Sequence, residues 1–148
     1  MKTVLALIDH PNLDLIIIPV LEQLRSRGIN TKVYLTRAGR RRFLDEKGIS
    51  YSADESVINE FLKTAGQKLF LNAADQNYQP HWLGRHLDDR FRKEGIPSLT
   101  IEHGSLSIST YIKPSDIFAA DKMAVIGKAD FDGFVKIGVP AERLVLTG

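Results

Sequence analysis

Short apolar runs alternate with helix-period segments along almost the whole chain, and glycine closes most of the helical ones. Extended character falls at residues 3–8, 31–35, 49–52, 68–71, 98–101, 123–126 and 143–147. After the first run, Leu13, Ile16, Ile17, Val20, Leu21 and Leu24 recur at helical spacing. Pro19 lies inside that pattern as a kink or a first-turn residue, and Gly28 stops it. A basic helix spans 38–47 and stops at Gly48. Asp54 or Ser56 caps a third helix carrying Val57, Ile58, Phe61 and Leu62. Pro80 opens a long helix that ends near Lys93 with Gly95 behind it, and residues 130–137 form a last one closed by Gly138. Parallel strands need crossovers, and right-handed crossovers lay helices back on the sheet. The expected class is therefore α/β. It is a Rossmann-like open, mostly parallel sheet of about six to seven strands with helices on both faces, in three layers.

Composition narrows the function classes. The chain has 148 residues, which suits one domain, and its 43% hydrophobic and 26% charged content is ordinary for a globular protein. A net charge of +2 gives no footprint for nucleic acid. Zero cysteines exclude disulfides and thiolate metal sites. No apolar run reaches the ~18 residues of a membrane span, and no signal peptide is evident at the start of the chain. The expected location is cytoplasmic, with room for a peripheral contact on the inner membrane face. Arg37, Arg40, Arg41 and Arg42 concentrate positive charge. They read either as a solvated helix face or as an anion-binding patch for a phosphate, a lipid head group or an acidic polymer.

Open α/β sheets hold ligands outside the carboxyl ends of their strands. Three sets of polar residues fall there. The first run exits into Asp9-His10-Pro11-Asn12, where a helix N-terminus could hold an anion, or where Asp9 and His10 simply cap and turn the chain. The 98–101 run exits into Glu102-His103-Gly104 and then Ser105. An imidazole titrates near neutrality, a neighbouring carboxylate can orient it, and glycine permits close approach to a ligand. Asn72, Asp75 and Asn77 follow the 68–71 run, where turn chemistry also explains them. Neither G-x-G-x-x-G nor G-x-x-x-x-G-K-[ST] occurs, so dinucleotide and P-loop binding lack their usual support. His81 and His86 are five apart and miss the four-residue metal spacing, and Ser105, Ser107 and Ser109 lack a G-x-S-x-G context. No metal site is expected.

Three segments carry a resemblance to the N-terminal half of GT-B-fold enzymes. Residues 3–33 resemble that family's strand, His-bearing loop, helix and L-x-x-R-G entry, here Leu24-Arg25-Ser26-Arg27-Gly28. Ile96-Pro97 through His103-Gly104 resembles the I-P-x-x-x-x-x-H-G segment of glycerophosphotransferase-like and capsule-type transferases. Ala120-Asp121-Lys122 and residues 138–148 are similar to a run that leads into the second domain. Glu102-His103-Gly104 is also similar to the E-A-G of non-hydrolysing UDP-N-acetylglucosamine 2-epimerases, whose opening G-T-R-P-E is absent here.

The resemblance implies an acceptor-binding domain of a transferase acting on a nucleotide-activated sugar or polyol phosphate. A C-terminal donor-binding domain would follow residue 148. His103 would be the general base, Glu102 would orient it, and His10 would be a second cleft residue. Asp9, Asn12, Asp75, Gly104 and Ser105 would contact substrate, and Arg40, Arg41 and Arg42 would face an anionic or membrane-borne acceptor. No cofactor, metal or nucleic acid enters that scheme, and homo-oligomerisation stays open. The isolated domain would be a poor catalyst, since one wall of a cleft neither positions two reactants nor excludes water. Two rival readings remain. One is a stand-alone Rossmann-like binding or interaction module. The other is a receiver-like phosphoacceptor domain built on Asp9, which would need a second acid beside it and a late lysine.

Overall fold

The computed structural model describes residues 1–10, 13–36, 41–73, 83–102 and 119–147. The elements run β1 (Lys2–Ile8), α1 (Asp14–Ser26), β2 (Asn30–Leu35), α2 (Arg42–Glu46), α3 (Ser56–Lys63), β3 (Gln67–Asn72), α4 (Leu83–Lys93), β4 (Ser98–Ile101), β5 (Lys122–Val125), α5 (Lys128–Lys136) and β6 (Leu144–Leu146). A single 3-10 turn over Ala141–Arg143 takes the first position expected of the last strand. α1 runs straight through Pro19, which lies on the exposed side, where the carbonyl it leaves unbonded meets water.

All strand pairs are parallel, in the order β2-β1-β3-β4-β5-β6. The short 49–52 piece adds to the outer edge of β2. Ser52 bridges Tyr34, Leu35 N–H donates to Ser52 O at 2.9 Å, and Ser52 N–H donates to Val33 O at 2.9 Å. Counted with that piece, the extended segments lie in the order 3-2-1-4-5-6-7. This is the doubly wound Rossmann arrangement, and the winding reverses between β1 and β3.

Alternation of side chains explains the layers. Val4, Ala6 and Ile8 of β1 pack with Ile17, Ile18 and Leu21 of α1 and Leu44 of α2. Leu5 and Leu7 face the opposite way, onto Ile58 and Phe61 of α3 and Leu87 and Phe91 of α4. α5 covers Met123, Val125 and Leu144 through Phe134. The densest packing is an aromatic trio. Phe91 stands edge-on to Phe61 at 5.5 Å and tilted against Phe70 at 4.9 Å. Gly28 (φ 71°) ends α1, with Ile29 N–H reaching back to Leu24 O at 3.0 Å, and Gly95 (φ 67°) ends α4 with the matching bond from Ile96 to Phe91. A left-handed residue permits that six-to-one closure, and glycine takes it without a Cβ penalty.

Candidate functional site

The winding reversal falls between β1 and β3, with α1 on one face and α4 on the other, and open α/β sheets hold ligands at the carboxyl side of such a reversal. Asp9 leaves β1 with the parity of Leu5 and Leu7, which puts it on the α4 face. It is half-buried, and burial pushes its carboxyl above the ordinary range. Its own backbone amide, the charge of His10 and the Gly84 amide in the first turn of α4 act in the opposite sense. Its Oδ1 has no hydrogen-bond partner. His10 is exposed beside it, and its carbonyl accepts from Leu13 N–H at 3.4 Å.

Glu102 continues beyond β4 on the same face as Thr100. Its N–H donates to Ala124 O at 3.0 Å, and its Oε2 accepts from Ile126 N–H at 2.9 Å. The side chain is 1% exposed and its Oε1 has no partner. Burial raises this carboxyl's pKa, the Ile126 bond lowers it, and the Asp130 carboxylate in the first turn of α5 raises it further. The ladders pair Ala6 with Leu71 and Asn72 with Thr100. Extended by the same steps, they set Asp9 and Glu102 level with each other, two strands apart. Two inter-strand spacings amount to roughly 10 Å.

Between these acids lies a buried polar relay that local sequence reading misses. Thr100 Oγ1 donates to Asn72 Oδ1 at 2.9 Å, and Asn72 Nδ2 donates to Asp88 Oδ2 at 3.0 Å. It ties β4, β3 and α4 together directly below the rim. Asp14 is a second missed residue. It opens α1 on the sheet-facing side, with Ile17, Ile18 and Leu21, and is 1% exposed. Its Oδ1 accepts from Leu15 N–H at 3.0 Å and its Oδ2 has no partner. Asp88 did leave a signal, since it is the one charge on an otherwise apolar face of α4 with Gly84, Leu87 and Phe91.

Of the expected site residues, the fold brings Asp9, His10 and Glu102 to one rim. Asn12, Asp75, His103, Gly104, Ser105 and Arg40 lie outside the described residues. Arg41 and Arg42 stand exposed at the start of α2. Arg42 Nε binds Glu46 Oε1 at 2.7 Å, and that carboxylate holds the guanidinium above its ordinary range. Among the described residues no three His, Asp or Glu side chains lie close enough together to hold a metal ion. The receiver-like pattern finds no second acid at the end of β3, where Asn72 stands. Lys128, after β5, pairs with Asp132.

An open groove of about 660 Å³ lies at the other end of the sheet, lined by Val4, Leu24, Leu69, Ile96 and Pro97 with Lys2 at its edge. Its buried polar residue, Thr3, already accepts from Asn30 Nδ2 at 3.4 Å, so the rim with its unpartnered carboxylate oxygens is the stronger candidate. Comparison with family models, curated proteins and solved structures returned no match to this chain.

Proposed function

We propose that this chain is the acceptor-binding domain of a GT-B-type transferase that uses a nucleotide-activated sugar or polyol phosphate. The supporting observation is that Asp9 and Glu102 follow β1 and β4 onto the carboxyl rim of a 3-2-1-4-5-6-7 sheet, each with a carboxylate oxygen that lacks a partner among the described residues. Folded proteins leave few buried polar atoms unpaired, and those they leave at such a rim are candidates for ligand contact.

In this reading the acceptor lies along the rim with one hydroxyl toward His103, the residue after Glu102. His103 takes the hydroxyl proton as that oxygen attacks the donor. A polyol phosphate donor is attacked at the polyol-bearing phosphorus, with the diphosphate P–O bond breaking and the nucleotide leaving. A sugar donor is attacked at its anomeric carbon. The bond from that carbon to the nucleotide phosphate breaks, and the nucleotide leaves with the electron pair. Glu102 and Asp9 hold neighbouring acceptor hydroxyls, and His10 closes the outer side. The donor-side wall of the cleft comes from another domain.

Titration of the ¹⁵N-labelled chain with neutral sugars, polyols and sugar nucleotides tests the acceptor role. Amide shifts are expected at Asp9, His10, Ala73, Glu102 and Ile126. Shifts confined to the groove at the opposite edge, or no shift with any ligand, would defeat the proposal. With the donor-binding domain present, His103→Ala is expected to lower turnover by roughly 10²–10⁴. Unchanged turnover removes the base role, and binding without any turnover favours a stand-alone binding module.

A further inference from the structure

Three helices of the described chain, α1, α4 and α5, begin at this rim, and each N-terminus already carries a carboxylate of the chain itself. Free amides at such ends ordinarily make phosphate sites. Here Asp14 stands in the first turn of α1 and takes the Leu15 amide. Asp9 leaves β1 next to the Gly84 amide at the start of α4. Glu102 takes the Ile126 amide just before the uncapped start of α5.

Each of these acids keeps one buried oxygen with no partner among the described residues, and Asp14 and Glu102 are both 1% exposed. A buried carboxylate oxygen can be satisfied only by a donor, so the missing partners are O–H or N–H groups. An anion would instead meet carboxylates from both helical layers.

The charges nearest Glu102 and Asn72 are acidic, while Arg41 and Arg42 stand exposed farther along the edge, at the start of α2 beyond β2. Asp130 adds to the negative side near Glu102, and Asp88 lies below the rim on Asn72. His10 stands exposed beside Asp9. Arg85 lies seven residues before Arg92, on the flank of α4 from which Arg92 reaches Asp121, and so on the β5 side of the helix rather than over β1. Its Nη1 has no hydrogen-bond partner.

We infer that the rim selects an uncharged or amino-bearing polyhydroxylated ligand, an unphosphorylated sugar or polyol, and rejects its phosphorylated counterpart. The inference rests on the acceptor-domain reading and supplies its substrate class. The roughly 10 Å between the level acids on the α4 face suits one sugar ring with a hydroxyl toward each side.

The test is a charge series on the same carbon skeleton, followed by amide shifts of the 148-residue chain at pH 7. The probes are glucose, glucosamine, glucose 6-phosphate and inorganic phosphate. Glucosamine is expected to bind at least as tightly as glucose, and glucose 6-phosphate at least ten-fold more weakly, with no rim shifts from phosphate alone. Asp14→Asn and Glu102→Gln should each narrow that gap. Should either variant fail to fold, the wild-type series still decides. Phosphate or glucose 6-phosphate binding the rim as tightly as glucose overturns the inference and leaves the acceptor reading standing. So does glucose binding that requires added Mg²⁺. Rim amides indifferent to every probe defeat both.

Discussion

Exchanging Asn72 and Asp88 of the buried relay tests whether it holds the rim together. In the native chain Asn72 accepts from Thr100 and donates to Asp88, at 2.9 and 3.0 Å, with all three side chains buried. Asn72→Asp removes the only donor between Asn72 and Asp88 and sets two carboxyls face to face. The lost charge-assisted bond costs about 1.5–3 kcal/mol. Two ionised carboxylates ~4 Å apart repel by about 4 kcal/mol at an effective dielectric of 20. Protonating one of them at pH 7 costs about as much, since a carboxyl with an ordinary pKa near 4 must be lifted three units at 1.36 kcal/mol each. The terms overlap, so a net loss of about 3–5 kcal/mol is expected at pH 7.

The exchange Asn72→Asp with Asp88→Asn restores every donor and acceptor. Position 72 then accepts twice, from Thr100 and from the amide at 88. Urea unfolding of the two variants should show the double recovering most of what the single loses. The single should also regain stability as pH falls toward 4, because protonation returns a donor to the pair. A single variant within 1 kcal/mol of the native chain, or a double no more stable than the single, would refute the reasoning.

Glu102→Gln should raise the melting temperature at pH 7.5, by roughly 3–6 °C, from about 1–2 kcal/mol released when a buried charge with one partner is removed while the bond from Ile126 is kept. Because the folded carboxyl's pKa is raised, wild-type stability from this group is present at acid pH and lost as pH rises through that value. The gain should therefore vanish below about pH 4. A constant offset across that range would contradict the assignment. Phe91→Ala should cost about 3–5 kcal/mol in urea unfolding, since Phe91 is fully buried between Phe61 and Phe70. A loss under 1 kcal/mol would mean that α4 is not anchored there.

The fold was legible because its signals are local. Apolar runs, helical spacing and a glycine after each of α1, α2, α4 and α5 are all read within a few residues, and handedness rules do the rest. Even the minor 49–52 piece was legible as extended, although its place beyond β2 depends on pairing with Val33 and Leu35. The rim was only half legible. Asp9, His10 and Glu102 follow strands and so had to fall at the carboxyl edge. Asp14 was hidden by its place at the head of an apolar helix. Asn72 read as the start of a loop and is the last residue of β3.

What could not be read was which carboxylates would lack partners, because the groups that satisfy them are remote. Glu102 finds Ile126 24 residues away, and Thr100 finds Asn72 28 residues away. The same remoteness separates two kinds of buried polar group at this edge. The Thr100–Asn72–Asp88 chain bonds residues of β4, β3 and α4 to one another and ties those elements together. Asp14 and Glu102 each accept one backbone amide, from Leu15 and Ile126, and, like Asp9, keep an oxygen with no partner among the described residues. Packing alone gives no reason for that second oxygen to stay unpaired on three different elements, because burying it costs stability. A ligand rich in donors supplies one reason for all three, and the rigid relay beneath keeps the acids at the spacing such a ligand needs.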